Sequence, residues 1–273
     1  MRRVTFRLPA AEKEDVLDAL MPLLPAGVRE RPVAAGTVEL DTLEPPARAV
    51  LEAAAGRPLQ AWSETAVPAD WRARRARLGG GAYAVGGRLL VRSPWDPPAG
   101  PGLTDLVLER AGGGFGSGSH PTTRMCLALL LELPPAGGAV DLGCGLGTLA
   151  IAAARLGWAP VLGVDRMGGA VDAARANGER NGVTVDWRAA DLESAPVPLA
   201  TLLLVNAPPA VHERLAVALA AAPAAEPRAV IASGLVAAEL AAVIVQYAAA
   251  GWAVAVTLEE AGWTAARLER AGA

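Results

Sequence analysis

The sequence predicts an α/β protein built on a doubly wound, mostly parallel sheet, and three features of residues 103–273 lead to this prediction. Helical stretches alternate with short apolar strands, which is typical of a parallel sheet covered by helices on both faces. Polar residues follow the strands, at the edge where such sheets bind their ligands. A glycine-rich turn joins the first of these strands to the next helix.

The first 62 residues predict a separate, small α+β module. Their pattern gives the order strand, helix, strand, strand, helix, strand, at residues 4–8, 11–24, 28–33, 37–40, 46–55 and 59–62. Since this is the order of the split βαβ unit, we predict a ferredoxin-like module over residues 1–62.

Residues 63–102 are interpreted as a linker that contains a helix and a hairpin. The predicted helix at residues 68–78 carries four arginines, which indicate either a basic patch for RNA or an acidic partner, or a solvated helix face. Residues 83–92 alternate around a Gly-Gly turn, as expected for a hairpin, and a proline-rich loop follows.

Residues 103–273 supply the elements of the large sheet. The predicted helices lie at residues 122–133, 149–156, 170–181, 211–221 and 237–250. The predicted strands lie at residues 139–142, 160–164, 183–187, 202–205, 229–232, 252–258 and 263–268. We expect the last two strands to form an antiparallel pair.

Composition restricts the class of protein. A content of 52% hydrophobic and 19% charged residues is that of a globular chain. The formal net charge of -3 gives no general attraction to nucleic acid or to an anionic membrane, so neither is expected as a partner. The two cysteines lack Cys-x-x-Cys spacing, which favours a reduced protein without a metal site. Because no signal peptide and no membrane-spanning stretch is recognised, we expect a cytoplasmic protein.

The glycine-rich turn at residues 140–150 reads Val-Asp-Leu-Gly-Cys-Gly-Leu-Gly-Thr-Leu-Ala. Gly143, Gly145 and Gly147 let a ligand lie against bare main chain, and the following helix is expected to present free N–H groups to it. The spacing differs from the Gly-x-Gly-x-x-Gly of dinucleotide sites and from phosphate-binding loops, and no basic residue follows closely. The turn therefore predicts a nucleoside with a charged tail and no phosphate, which describes S-adenosylmethionine.

Three acidic residues at the ends of strands are candidates for binding that nucleoside. Asp165 lies at the distance from the turn at which a carboxylate can accept both ribose hydroxyls, although dehydrogenases also place an acid there. Asp191 either accepts the adenine amino group or is a turn acid. Asp141 either supports the glycine turn or meets the methionine ammonium group through water.

A second informative stretch, residues 113–123, reads Gly-Gly-Phe-Gly-Ser-Gly-Ser-His-Pro-Thr-Thr. It is suited to close over a ligand and to cap the helix that begins near Thr122. It resembles the Phe-Gly-Thr-Gly-x-His-x-Thr-Thr loop of the ribosomal protein L11 methyltransferase family. The glycine turn, Asn-Gly-Val at 181–183, Ser-Gly-Leu at 233–235 and the segment 260–263 resemble the same family in the same order.

This resemblance implies an S-adenosylmethionine-dependent enzyme that methylates lysine side-chain or amino-terminal amines, most directly those of a ribosomal protein. It implies that the amino-terminal module grips the protein substrate. It also implies cofactor contacts at Thr122, Gly143, Asp165 and Asn206, with Phe115 of the loop as a further contact.

Asn206 is the candidate acceptor residue. An asparagine amide and the carbonyls beside it can accept the hydrogens of an amine and aim its lone pair at the methyl group. The transfer is expected to need alignment but no metal, acid or covalent nucleophile. Of the two histidines, we interpret His120 as fixing its loop in preference to acting as a general base, and His212 as structural.

Two departures from the family pattern keep alternatives open. Asp165 is followed by Arg-Met-Gly instead of a second acid and a proline, and Asn206 by Ala-Pro-Pro instead of a branched apolar residue. A cofactor-binding protein with lost transfer activity, or a methyltransferase for another protein or small-molecule amine, is therefore an alternative. A nicotinamide dehydrogenase is disfavoured, because the turn lacks Gly-x-Gly-x-x-Gly.

Overall fold

A computed structural model describes residues 2–24, 27–34, 36–66, 82–94, 96, 98–109, 120–222 and 227–271. The described residues fall into two compact units, one up to Ala66 and the other from Ala82 onward. Each unit is described by itself.

The first unit has the predicted ferredoxin-like order. Its elements are β1 (Arg2–Pro9), α1 (Lys13–Leu20), β2 (Arg29–Ala34), β3 (Thr37–Leu43), α2 (Arg48–Ala55) and β4 (Gln60–Ala66). All strand pairs are antiparallel, in the order β2-β3-β1-β4. The core contains Phe6, Leu20, Leu40 and Leu51, all fully buried. The prediction of a small α+β module is confirmed.

The second unit contains the large sheet and a smaller one. Its strands are β5 (Tyr83–Val85), β6 (Leu89–Arg92), β7 (Thr104–Val107), β8 (Ala139–Leu142), β9 (Val161–Asp165), β10 (Asp186–Ala189), β11 (Leu202–Asn206), β12 (Ala229–Val236), β13 (Trp252–Glu260) and β14 (Trp263–Arg270). Its helices are α3 (Pro121–Leu131), α4 (Thr148–Arg155), α5 (Gly168–Arg180), α6 (Pro209–Ala220) and α7 (Ala237–Ala249).

The large sheet is doubly wound, as predicted. Its order is β10-β9-β8-β11-β12-β14-β13, and β14 runs antiparallel to both of its neighbours while the other pairs are parallel. From β8 the chain builds outward in one direction through β9 and in the other through β11. The strand order therefore reverses between β8 and β11, which is where open α/β sheets bind ligands.

Helices cover both faces of this sheet. Leu202 and Leu204 of β11 face the core that contains α3 and α4, whereas Leu203 and Val205 face the core that contains α6 and α7. All four side chains are fully buried, which explains why the strand has no polar alternation before Asn206.

The third parallel strand begins three residues later than predicted, at Asp186 in place of residue 183. The intervening residues end α5 instead of extending the sheet. Gly182 takes a left-handed conformation with φ 63°, and the N–H of Val183 donates to the carbonyl of Gly178 at 3.2 Å. The apolar pattern at residues 183–187 predicted a strand, but its first residue instead caps the end of α5.

The hairpin that we assigned to a linker packs within the second unit. Val85, Leu89 and Val91 share a buried core with Leu106 and α3, and β6 pairs in parallel with β7, a strand that the sequence analysis did not predict. The arginine-rich helix predicted at residues 68–78 lies outside the described residues. Among the described residues, no helix is long and apolar enough to span a bilayer.

Candidate functional site

The sheet brings the glycine turn and two of the predicted polar residues to one edge. Leu142 of β8 lies opposite Val164 of β9 and Val205 of β11, so the carboxyl ends of the three strands are level. The glycine turn follows β8, Asp165 ends β9 and Asn206 ends β11. These parts therefore surround the point at which the strand order reverses.

The glycine turn is tied to the end of β9 by its own backbone. The N–H groups of Gly143 and Cys144 both donate to the carbonyl of Val164, at 2.8 and 2.9 Å. The N–H of Gly145 donates to a carboxylate oxygen of Asp165 at 2.9 Å. The turn and the ribose-binding candidate are therefore one hydrogen-bonded assembly.

An added side chain would meet different surroundings at Gly143 and at Gly147. At Gly143 (φ 77°) an added Cβ would meet only Ala207, at 3.5 Å, so a ligand can lie against the backbone there. At Gly147 (φ 82°) it would lie 2.7 Å from the ring of Trp187. Packing thus accounts for Gly147 without a ligand, and its cofactor contact stays a prediction.

Asp165 retains acceptor capacity for a ligand. Its two carboxylate oxygens accept the N–H groups of Gly145 and Met167, each at 2.9 Å. Because a carboxylate offers about four lone-pair sites, about two remain for vicinal hydroxyls. The side chain is partly exposed. The departure from the family pattern after Asp165 leaves this support in place, since Met167 contributes its backbone N–H and not its side chain.

Asp141 is buried and supports α4. It is 1% exposed, and its Oδ2 accepts the N–H of Ala150, the third residue of the helix, at 2.9 Å. Burial, together with the nearby charge of Asp165, raises the pKa of Asp141 to about 7. The expectation that the helix presents free N–H groups to the ligand is therefore wrong for Ala150. Because Asp141 already accepts this N–H of the first turn, the N–H is not available to a ligand phosphate.

Asp191 has the geometry of a turn acid. Its Oδ1 accepts the N–H of Glu193 and its Oδ2 the hydroxyl of Ser194, both at 3.0 Å. The hydrogen bond from Glu193, and to a smaller extent that from Ser194, lowers the pKa of the Asp191 carboxyl. A contact with adenine stays a prediction.

The amide of Asn206 is oriented by the start of α3. Its Nδ2 donates to Oγ1 of Thr123 at 3.4 Å, a long hydrogen bond that directs Nδ2 toward the helix. Within the described part of the chain, no hydrogen bond ends on Oδ1 of Asn206. That oxygen is therefore available to accept a hydrogen from an incoming amine.

His120 caps α3 beside this amide. Its Nδ1 lies 2.8 Å from Oγ1 of Thr122 and accepts the N–H of Thr122 at 3.4 Å, and its ring packs edge-on against Trp263 at 4.9 Å. These contacts hold His120 at the start of α3, and its predicted role in fixing the preceding loop stays a prediction, because residues 110–119 lie outside the described residues. Thr122 is 1% exposed, and its predicted contact with the cofactor stays a prediction, as does that of Phe115, which lies outside the described residues.

Asn177 is a residue of the site that sequence reasoning missed. Buried on α5, it donates to the carbonyl of Leu146 in the glycine turn at 3.1 Å and accepts the N–H of Glu109 at 2.8 Å. Asn181, one turn later, bonds both backbone groups of Val107, at 2.8 and 2.7 Å. The available signal was Asn177, because asparagine is not favoured inside a helix; Asn181 directly follows the last residue of α5.

His212 was interpreted as structural without a partner, and the structure supplies three. Its Nε2 lies 3.1 Å from the carbonyl oxygen of Ala207 and 3.0 Å from that of Ser233, and its Nδ1 lies 3.0 Å from the hydroxyl of Tyr247. Burial lowers the pKa of His212 to about 4. The imidazole is therefore neutral in the folded protein at neutral pH.

The buried imidazole predicts an acid-sensitive contribution to stability. The unfolded chain protonates His212 below about pH 6.5, whereas the folded chain resists protonation down to about pH 4. Since the unfolded state binds more protons in this window, this contribution to stability decreases as the pH falls, by about 3 kcal/mol at most. We expect the unfolding free energy from urea titrations to fall less between about pH 7 and about pH 4.5 in His212→Gln than in the parent.

Asp141 also titrates in this pH range, but it is present in both proteins, so its contribution cancels when the two pH dependences are compared. Its raised pKa contributes in the opposite direction, because the folded state holds a proton that the unfolded state has lost, and both proteins contain it. An identical pH dependence in the two proteins would show that His212 is protonated as readily in the fold as in the unfolded chain.

Known proteins are similar to parts of this chain in sequence. The sequence profile of the family described as ribosomal protein L11 methyltransferase (PrmA) matches residues 61–271. The ribosomal protein L11 methyltransferase of Dechloromonas aromatica is 52% identical over 101 residues, which are 37% of this chain and 34% of that protein. That of Geobacter metallireducens is 41% identical over 120 residues, which are 44% of this chain and 40% of that protein. The matched segments thus span well under half of these relatives.

The fold is shared with a solved structure. The ribosomal protein L11 methylase of Lactobacillus delbrueckii subsp. bulgaricus superimposes with a TM-score of 0.59 at 21% identity. The likeness covers 70% of this chain and 99% of that one. At this identity the likeness concerns the arrangement of the sheet and its helices.

Proposed function

The chain belongs to the ribosomal protein L11 methyltransferase (PrmA) family, and from this membership we propose that it transfers a methyl group from S-adenosylmethionine to an amine of a ribosomal protein, with L11 as the first candidate. The amine is a lysine side chain or an amino terminus. The main support for the proposal is that one edge of the sheet holds both a nucleoside cradle, formed by the glycine turn and Asp165, and the oriented amide of Asn206. The proposal places the reaction in the cytoplasm, without a nucleic-acid or membrane partner.

The cradle matches the nucleoside that the sequence predicts. Gly143 leaves its backbone open, Asp165 has acceptor sites for two hydroxyls, and the N–H of Ala150 already donates to Asp141. These residues suit a ribose without phosphate. When bound, S-adenosylmethionine supplies a methyl group on a positively charged sulfur, which a neutral amine can accept without a metal.

The amide supplies alignment. Thr123 holds Nδ2 of Asn206, so Oδ1 can accept an N–H of the amine and direct its lone pair. Placement of this kind lowers the barrier because the reacting atoms are held in line. The proton released by the methylated amine leaves to solvent.

A direct test uses radiolabelled S-adenosylmethionine with purified bacterial ribosomal protein L11 and, in parallel, with cell extract. The proposal expects label on protein that increases with time and requires the chain. Cofactor bound by the chain but left intact, with unlabelled protein in both mixtures, would favour the alternative of a cofactor-binding protein without transfer activity.

Replacement of Asn206 separates binding from transfer. Asn206→Ala removes the accepting oxygen but none of the groups assigned to the ribose, so we expect a roughly 100-fold slower single-turnover transfer with nearly unchanged cofactor affinity. Rapid-quench measurement gives the first quantity and equilibrium dialysis the second. Equal transfer rates in parent and variant would rule out Asn206 as the acceptor residue.

A further inference from the structure

The peptide that follows Asn206 is held from several sides. The N–H of Ala207 donates to the carbonyl of Ser233 at 3.1 Å, and the Ala207 side chain is 6% exposed. At Gly234 (φ 90°) an added Cβ would lie 2.6 Å from both the nitrogen and the oxygen of Ala207. The end of β11 is therefore seated against bare backbone of β12, with no room for a side chain between them.

The carbonyl of Ala207 cannot be held by the residues just after it. Pro208 and Pro209 have no N–H, and α6 begins at Pro209. A strand end followed by two prolines thus lacks the backbone donors that usually fix such a turn. The sequence supplies the missing donor from the first turns of α6, as the side chain of His212.

The surroundings of His212 fix its tautomer. Nε2 lies between the carbonyl oxygens of Ala207 and Ser233, which only accept hydrogen bonds, so the ring proton belongs on Nε2. Nδ1 then accepts the hydroxyl hydrogen of Tyr247. The tyrosine, on α7, packs edge-on against the imidazole with centroids 6.1 Å apart. Each polar atom of the ring thus has a defined partner, and the ring cannot flip without losing both carbonyls.

We propose that His212 is a positioning residue for the methyl acceptor: by joining the carbonyls of Ala207 and Ser233 it fixes the end of β11 and with it the direction of the Asn206 amide. This inference rests on the proposed function, because it assigns the consequence to the acceptor side of the site. It accounts for the Ala-Pro-Pro sequence after Asn206, which departs from the family pattern. It predicts slower transfer without weaker cofactor binding.

The test compares three variants under single turnover. His212→Leu removes the donor and keeps an apolar side chain of similar bulk, whereas His212→Gln retains an N–H donor near the position of Nε2. Leu215→Ala is the matched control, since Leu215 is fully buried on the same helix and makes no polar contact with Ala207. We expect His212→Leu to transfer about ten-fold or more slowly, and His212→Gln to recover most of the rate. Leu215→Ala should lower the melting temperature without slowing transfer.

Two outcomes of the kinetic comparison would overturn the proposal. One is a parental transfer rate in His212→Leu. The other is an equal loss of rate in His212→Leu and Leu215→Ala, which would reduce the role of His212 to general stability. Cofactor dissociation constants are measured for each variant, and a large increase confined to His212→Leu would also contradict an acceptor-side role.

A readout that does not need activity keeps the two proposals distinguishable. Amide hydrogen exchange of Ala207, compared with that of Val205 in the same strand, reports the seating of the strand end directly. We expect the ratio of the two exchange rates to rise about ten-fold in His212→Leu and to stay at the parental value in Leu215→Ala. If the parent transfers no methyl group, the proposed function fails, whereas an unchanged exchange ratio in His212→Leu shows that the histidine does not position the strand end.

Discussion

Replacing Asp165 with alanine is expected to weaken S-adenosylmethionine binding by about 100-fold or more. The carboxylate offers acceptor sites for two ribose hydroxyls, and charge-assisted hydrogen bonds contribute about 1.5–3 kcal/mol each. The same substitution removes the partner of the Gly145 N–H, so the glycine turn loses its tie to β9. Equilibrium dialysis with labelled cofactor measures the change.

An exposed acid of the neighbouring helix provides the control for Asp165. Asp172 on α5 pairs with Arg175 at 3.0 Å, and its side chain is 77% exposed. Asp172→Ala should therefore leave the dissociation constant unchanged. A parental affinity in Asp165→Ala would remove Asp165 from the cofactor site and leave it as a support of the turn.

The second large effect is expected from Gly163, in the middle of β9. A methyl group there would lie 2.4 and 2.5 Å from two ring carbons of Trp187, and Gly147 and Gly178 pack against the same partly buried ring. Gly163→Ala should destabilise the protein by about 3 kcal/mol, at the upper end of overpacking effects. Urea unfolding gives the free energy.

The tryptophan explanation for Gly163 has two checks. Gly169→Ala on α5 adds a methyl group where nothing lies within 4 Å, so its effect should be neutral or stabilising by up to about 1 kcal/mol. Combining Gly163→Ala with Trp187→Leu should recover part of the loss, because the ring that clashes is gone. Losses that simply add in the double variant would mean that the methyl group meets something other than Trp187.

Local pattern was sufficient for the sheet and for its binding edge. The strand at Leu202 is apolar at four consecutive positions and ends at Asn206, which is the signature of a parallel strand buried on both faces. The level ends of parallel strands then place Asp165 and the glycine turn beside it. The small amino-terminal sheet also followed from the order of its segments, because turns such as that at Gly56 separate them clearly.

The local sequence pattern could not predict contacts between residues that are distant in the chain. Nothing near Trp187 in the sequence indicates that Gly147, Gly163 and Gly178 surround its ring. For the same reason His212 had no visible partner, since Ser233 and Tyr247 are distant in the chain. Such contacts form only when the helices and strands pack together. They explain why Gly163 and Gly178 had no assigned role and why His212 had no named partner.

The proposed reaction moves a methyl group from S-adenosylmethionine to an amine nitrogen of a ribosomal protein. Incubation with cofactor carrying a deuterated methyl group and purified L11, followed by tandem mass spectrometry, tests it most directly. We expect deuterated methyl groups on lysine side chains or the amino terminus of L11, in amounts that match the demethylated cofactor formed. A folded, cofactor-binding chain that leaves every amine of L11 and of the ribosomal proteins unlabelled would contradict it.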